Sequence, residues 1–124
     1  MGPIVKALAA AVPHPALRVY LSGPMTGLPD LNFPAFNAAA AMLRECGFKV
    51  INPAEINIDP AADWHACMKA DIKALCDCDM LALLPGWENS TGAHLEVHIA
   101  HRLRIRVTHV AQLAEAAAAL GLQA

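Results

Sequence analysis

Two acidic residues occupy positions where an amphipathic helix ordinarily carries apolar ones. At 100° per residue, Trp64, Cys67, Met68 and Leu75 form the inward stripe of a helix over residues 62–76. Asp71 falls near the centre of that stripe, while Lys69 and Lys73 lie on the opposite face. A helix over residues 91–103 repeats the anomaly: Ile99, Ala100 and Leu103 face inward, and Glu96 shares their stripe. Burying a carboxylate without partners is costly, so each acid needs a partner or a function. As structural groups, Asp71 would cap the backbone amides of a neighbouring loop and Glu96 would complement its helix dipole. As chemical groups, two carboxyls in a partly apolar cleft suit acid/base or nucleophilic work at an acetal-like carbon. One attacks or stabilises an oxocarbenium-like centre, and the other orients the sugar or assists the leaving group.

The segment Asn89-Ser90-Thr91-Gly92 opens the helix that carries Glu96. Free backbone N–H groups, two hydroxyls and a glycine that permits close approach make an anion site. An ordinary N-cap by Ser90 or Thr91 explains the same residues. His94, His98 and His101 share the opposite face of this helix, but without HExxH spacing they read as a solvated or subunit-facing stripe. No metal or cofactor is expected. Cys46, Cys67, Cys76 and Cys78 show no zinc-site spacing and read as reduced thiols in a cytoplasmic protein.

These side chains need a scaffold, and the pattern supplies one. Residues 18–22 form a β-branched and aromatic strand ending at Gly23-Pro24, followed by a loop to Leu31. A helix begins at Asn32 as N-cap, with Pro34 in its first turn and Phe33, Phe36, Ala40 and Leu43 as its apolar stripe. Gly47 closes it, and residues 48–51 form a second strand stopped by Asn52-Pro53. After a loop over 53–60 and the helix bearing Asp71, residues 80–84 form an unbroken apolar strand stopped by Pro85-Gly86. A last strand over 105–110 and a last helix over 111–120 complete the series. Strands alternating with helices predict a parallel sheet covered on both sides. Such sheets bind ligands beyond the carboxyl ends of their strands, an edge that both anomalous acids could reach.

Composition sets the limits of function. The chain has 124 residues, 56% of them hydrophobic, 16% charged and 5% aromatic, with a formal charge of -2. That is too apolar for a disordered tail and too acidic for a nucleic-acid polymer to bind through a basic face. No run approaches the roughly 18 apolar residues that span a bilayer, so no membrane partner is expected. The apolar stretch over residues 1–12 is interrupted by Lys6 and lacks a basic leader region, which argues against a signal peptide. Residues 1–17 are read as an N-terminal extension and residues 18–124 as a single domain. The apolar surplus in so small a chain predicts burial between subunits of a homo-oligomer, a dimer or larger.

Taken in order, several segments resemble the nucleoside 2-deoxyribosyltransferase-like superfamily, and more closely its small, often phage-associated members. They are Val19-Tyr20-Leu21-Ser22-Gly23-Pro24-Met25-Thr26-Gly27, Asn32-Phe33-Pro34-Ala35-Phe36-Asn37 and Ile51-Asn52-Pro53-Ala54. Asp71, Asp79, Leu84-Pro85-Gly86-Trp87 and Ser90-Thr91-Gly92-Ala93 follow, leading to Glu96, so that the resemblance covers residues 18–110. It implies a flavodoxin-like three-layer α/β sandwich with a parallel sheet of four or five strands in order 2-1-3-4(-5). It also implies a homo-oligomer that cleaves an N-glycosidic bond of a nucleoside or nucleotide. Glu96 matches the nucleophile and Asp71 the acid that positions or protonates around the sugar and base. Tyr20 and the loop with Gly23, Met25, Thr26 and Gly27 match the segment that wraps the substrate, and Asn37 lies in a matching segment.

Six positions before the nucleophile, the transferases typically carry an aspartate. The related nucleoside 5′-monophosphate N-glycosidases carry a phosphate-binding serine there, as this chain does at Ser90, extended by Thr91 and Gly92. The resemblance thus leans towards a nucleotide and hydrolysis. Two features depart from it: Pro24-Met25-Thr26 stands where the nucleotide hydrolases often place a basic residue, and Tyr20 is the sole tyrosine, so the transferases' C-terminal tyrosine has no counterpart. A nucleotide-binding or sensing protein using the same cleft without catalysis is the alternative.

Overall fold

Four short strands alternate with helices along the chain. A computed structural model describes residues 17–59 and 61–121; the expected N-terminal extension lies, apart from Leu17, outside them. Strands β1 (Arg18–Ser22), β2 (Lys49–Ile51), β3 (Met80–Leu83) and β4 (Arg106–His109) form one all-parallel sheet in order β2-β1-β3-β4. Helices α1 (Phe33–Glu45), α2 (Pro53–Ile56), α3 (Trp64–Leu75), α4 (Thr91–Arg102) and α5 (Val110–Ala119) complete a flavodoxin-like α/β sandwich. Among the described residues the sheet has four strands and no fifth.

Strand parity sorts the core into two layers, because successive side chains of a strand point to opposite faces. Val19 and Leu21 of β1, with Met80 and Ala82 of β3, pack against Phe36, Ala40 and Leu43 of α1 and Leu113 and Ala117 of α5. Tyr20 of β1 and Leu81 and Leu83 of β3 face the other way, onto Leu75 of α3 and Ala100 of α4. The central strands β1 and β3 are therefore buried on both faces, which is why their sequences read as nearly continuous apolar runs.

Local chemistry sets the boundaries, with four departures from the sequence pattern. The Asp63 side chain accepts from Ala66 N at 3.1 Å, so α3 begins at Trp64 and not at Ala62. Asn32 stands at the head of α1 in the left-handed region (φ 60) and does not cap it; its Nδ2 donates instead to the Pro24 carbonyl at 2.9 Å. Leu103, expected on the inward stripe, ends α4 at 54% exposure. Arg104 follows it at φ 60, turning the chain into β4 before Leu103 can reach the core. The short α2 forms where the sequence pattern predicts only a loop over 53–60: Asn52 caps it by accepting from Ala54 N at 3.0 Å, with Pro53 at its first position. Among the described residues, no helix is long and apolar enough to cross a membrane.

Candidate active site

Tyr20 and Ser22 are two residues apart in β1, so both side chains leave the sheet on the face covered by α3 and α4. Glu96, in the second turn of α4, points back towards them. The Tyr20 hydroxyl donates to Glu96 Oε2 at 2.5 Å and the Ser22 hydroxyl donates to Oε1 at 2.7 Å. Glu96 is only 5% exposed, and burial pushes its carboxyl up to about 7. The two hydroxyl bonds pull the other way by favouring the charged form, while Asp71 adds a further upward push. Tyr20 is fully enclosed, and burial, then the charges of Glu96 and Asp71, hold its pKa well above the ordinary phenol value. It is therefore a fixed donor behind the carboxylate.

Asp71 lies in the middle of α3, at 6% exposure. Asn57, in the connection from α2 to α3, donates to Asp71 Oδ1 at 2.6 Å. Burial raises the Asp71 carboxyl to about 6, with the Asn57 bond lowering it in part. Neither acid serves as the backbone cap or dipole partner that would explain it structurally: their side-chain partners are two hydroxyls and one amide.

Both carboxyls open into a cleft of about 720 Å³ at the carboxyl edge of the sheet. The cleft gathers most of the residues singled out from sequence: Gly23, Met25, Thr26, Asp71, Ser90, Thr91, Gly92 and Glu96 all line it. Tyr20 sits behind its floor and meets the cleft only through Glu96. Gly27 and Asn37 are not among the lining residues. Gly27 is exposed at φ +83 with open space around it, a turn position. Asn37 is exposed on α1, and its Oδ1 accepts from Asn52 Nδ2 at 2.9 Å, steadying α2 instead. Asp79 lies at the amino end of β3 and accepts from Arg18 N, away from the cleft.

Glycine at position 23 is a steric requirement, since a Cβ there would stand 2.8 Å from Leu84 Cβ. At the opposite wall, Ser90 caps α4 by accepting from Ala93 N at 3.1 Å, leaving its own proton free to donate into the cleft. The cleft is also lined by residues that the sequence pattern does not mark as site residues: Ser22, Phe33, Asn57, Asp59, Trp64, Cys67 and Met68. Strand parity with Tyr20 could have revealed Ser22. Trp64, Cys67 and Met68 fit the inward stripe of α3 yet line the cleft, which explains why Trp64 remains 41% exposed. Nothing in the composition of the α2–α3 connection marks Asn57 or Asp59.

The charge distribution is one-sided. The described lining holds the carboxyls of Asp59, Asp71 and Glu96 and no lysine, arginine or histidine. His94, His98 and His101 are exposed on the far side of α4; the His94 ring packs at a tilt of 49° against Trp87, with its Nε2 2.8 Å from the Glu88 carbonyl. Among the described residues, no group of three or more His, Cys, Asp or Glu could hold a metal ion, and all four cysteines are free thiols.

Fold and site together define a flavodoxin-like α/β protein with two buried carboxyls in a cleft at the carboxyl edge of its sheet. Residues 17–109 match the model of a family described as a domain of unknown function, DUF4406, and the chain belongs to that family. No curated protein matches the chain.

Proposed function

We propose that the protein breaks the N-glycosidic bond of a nucleoside through a glycosyl ester on Glu96. The observation that carries this reading is the double anchoring of Glu96, which fixes a carboxylate at the floor of a cleft large enough for a nucleoside. Oε2 is engaged by the enclosed Tyr20, whereas Oε1 lies beside Ser22, which lines the cleft. Oε1 therefore attacks the anomeric carbon, and the base departs with the electron pair of the broken C–N bond. Asp71 orients the sugar hydroxyls and, with its pKa raised to about 6, carries a proton for the departing base in part of the protein near neutral pH. Water then attacks the ester, releasing the sugar and restoring the carboxylate; a second base in place of water would give transfer. The resemblance to the nucleoside 2-deoxyribosyltransferase-like superfamily supports the same roles for Glu96 and Asp71.

The lining favours the nucleoside over its 5′-monophosphate. Ser90, Thr91 and Gly92 offer a phosphate a hydroxyl and the backbone N–H groups of a helix start, but no described cation lines the cleft, and three carboxyls do. Four free thiols fit a reducing compartment such as the cytoplasm.

Incubation with a panel of ribo- and deoxynucleosides and their 5′-monophosphates, with chromatography of the released base, tests the proposal. Release that disappears in Glu96→Ala supports it. No release from any member, with ligands still protecting the fold against heat, would make this a binding protein and overturn it.

A further inference from the structure

Resting on the assignment of this cleft to nucleosides, we infer that its preferred ligand is a nucleoside whose base ring already carries a positive charge, such as a pyridinium or N-alkylated purine riboside. Three carboxyls from three different parts of the chain converge on one cavity: Asp59 from the α2–α3 connection, Asp71 from α3 and Glu96 from α4. Among the described residues none has a cationic partner. Glu96 is held by two hydroxyls, Asp71 by an amide, and Asp59 by the backbone N–H of Ala61. The cations of the neighbouring elements are turned elsewhere: Arg44 is paired with Glu55, and Lys69 and Lys73 lie on the outer face of α3. Asp71 and Glu96 are buried, whereas Asp59 stands exposed on the cleft lining. A buried carboxylate without a countercharge is unfavourable, and a ligand that brings the countercharge relieves that cost on binding while Asp59 adds its attraction at the opening.

The walls suit the same ligand. Trp64 and Phe33 border the cleft, and Trp64 is not sealed into the core. A flat, exposed indole beside carboxylates attracts a planar cation through its ring face, and tryptophan is the strongest partner for that contact.

The leaving-group chemistry agrees. Among the described lining, no histidine, lysine or exposed phenol is present to protonate a departing base; Tyr20 is enclosed behind Glu96, and Asp71 loses its proton as pH rises above about 6. A cationic base needs no such proton. When Glu96 Oε1 bonds to the anomeric carbon, the electron pair of the C–N bond moves into the ring and cancels its charge, and the base leaves neutral. Water then adds to the anomeric carbon, the Glu96 carboxylate is expelled, and one proton passes to Asp71 or solvent. The sum is cationic nucleoside plus water giving neutral base, sugar and one proton.

Calorimetry at pH 8 with the full chain carrying Glu96→Gln, whose side chain has no carboxylate to form the glycosyl ester, tests the inference. The probes are nicotinamide riboside and its dihydro form, which has nearly the same shape and no charge. The cation is expected to bind at least tenfold more tightly, and adding Asp59→Asn should shrink that ratio at least threefold, with circular dichroism confirming the fold. Equal affinities, tighter binding of the dihydro form, no binding of either, or a ratio indifferent to Asp59 would overturn the inference. Base release is read separately on the wild type. Turnover of uncharged nucleosides with equal affinities would overturn this inference and leave the glycosidase proposal standing. Cation-selective binding with no release from any nucleoside would do the reverse.

Discussion

Tyr20 donates its hydroxyl to Glu96 Oε2 at 2.5 Å from a position closed to solvent, so an aromatic residue in the central strand sets the orientation of a helix-borne carboxylate. The contact joins residues 76 apart in sequence, and it exists because strand parity turns Tyr20 away from the α1–α5 layer and towards α4.

Tyr20→Phe keeps the ring and removes only the donor. A hydrogen bond to a charged group contributes about 1.5–3 kcal/mol, and this one favours the ionised form of Glu96. Its loss should move the acid limb of the kcat/KM profile upward by about one pH unit and lower kcat at pH 7 by about fivefold, as the ionised fraction of Glu96 falls. A pH–rate comparison with wild type checks this, and an unchanged limb would show that Tyr20 does not hold the reactive carboxylate.

Stability should fall as pH rises through the range in which Glu96 titrates. Its folded pKa of about 7 lies above the ordinary value of 4.5, so between these values the folded protein binds more protons than the unfolded chain. The protonated form is thus favoured by folding, and that contribution is full below about 4.5 and gone above about 7. Glu96→Gln should be more stable than wild type at pH 8 by about 1–3 kcal/mol, with the difference vanishing near pH 4. Denaturant unfolding at the two pH values reads it. A variant less stable at pH 8 than at pH 4, relative to wild type, would reverse the sign.

Among the described residues Asn57 makes the one side-chain bond to Asp71, and Asn57→Ala removes it and leaves burial unopposed. The Asp71 pKa should rise from about 6 by about one unit. NMR titration of the Asp71 carboxyl carbon measures this directly, and a fall in its pKa would contradict the role assigned to Asn57.

Much of this architecture was legible in the chain. The β1 run Arg18–Ser22, the stops at Gly23-Pro24 and Pro85-Gly86, and the alternation of strand with helix each follow from local rules, and the observed sheet obeys them. Asp71 and Glu96 were legible because a carboxylate on an apolar stripe violates the helical pattern, and both prove buried at the cleft. What stayed hidden depends on approach in three dimensions. Asn57 and Asp59 sit in an aperiodic connection whose path is set by where α2 and α3 pack. Trp64 and Met68 satisfy the apolar pattern whether they meet core or cavity, so periodicity alone could not tell which. Gly27 and Asn37 have residue types that suit ligand binding, yet one turns a loop in open space and the other braces Asn52.

Gly23→Ala tests the close approach at the end of β1. The added methyl would stand 2.8 Å from Leu84 Cβ and 3.5 Å from Phe36 Cζ, inside a packed layer. A loss of about 1–3 kcal/mol is expected by denaturant unfolding. A neutral result would mean that the strand end shifts freely, and that the cleft wall is not fixed by this contact.

The central claim is that Glu96 becomes covalently bonded to the sugar. A 2-fluoro-substituted nucleoside destabilises the oxocarbenium-like state through which water must release the ester, so the adduct accumulates. Intact-mass and peptide mass spectrometry after incubation should show one fluorosugar per chain, on Glu96, with no adduct in Glu96→Gln. Base release without any adduct, an adduct on another residue, or release that survives Glu96→Gln would contradict it.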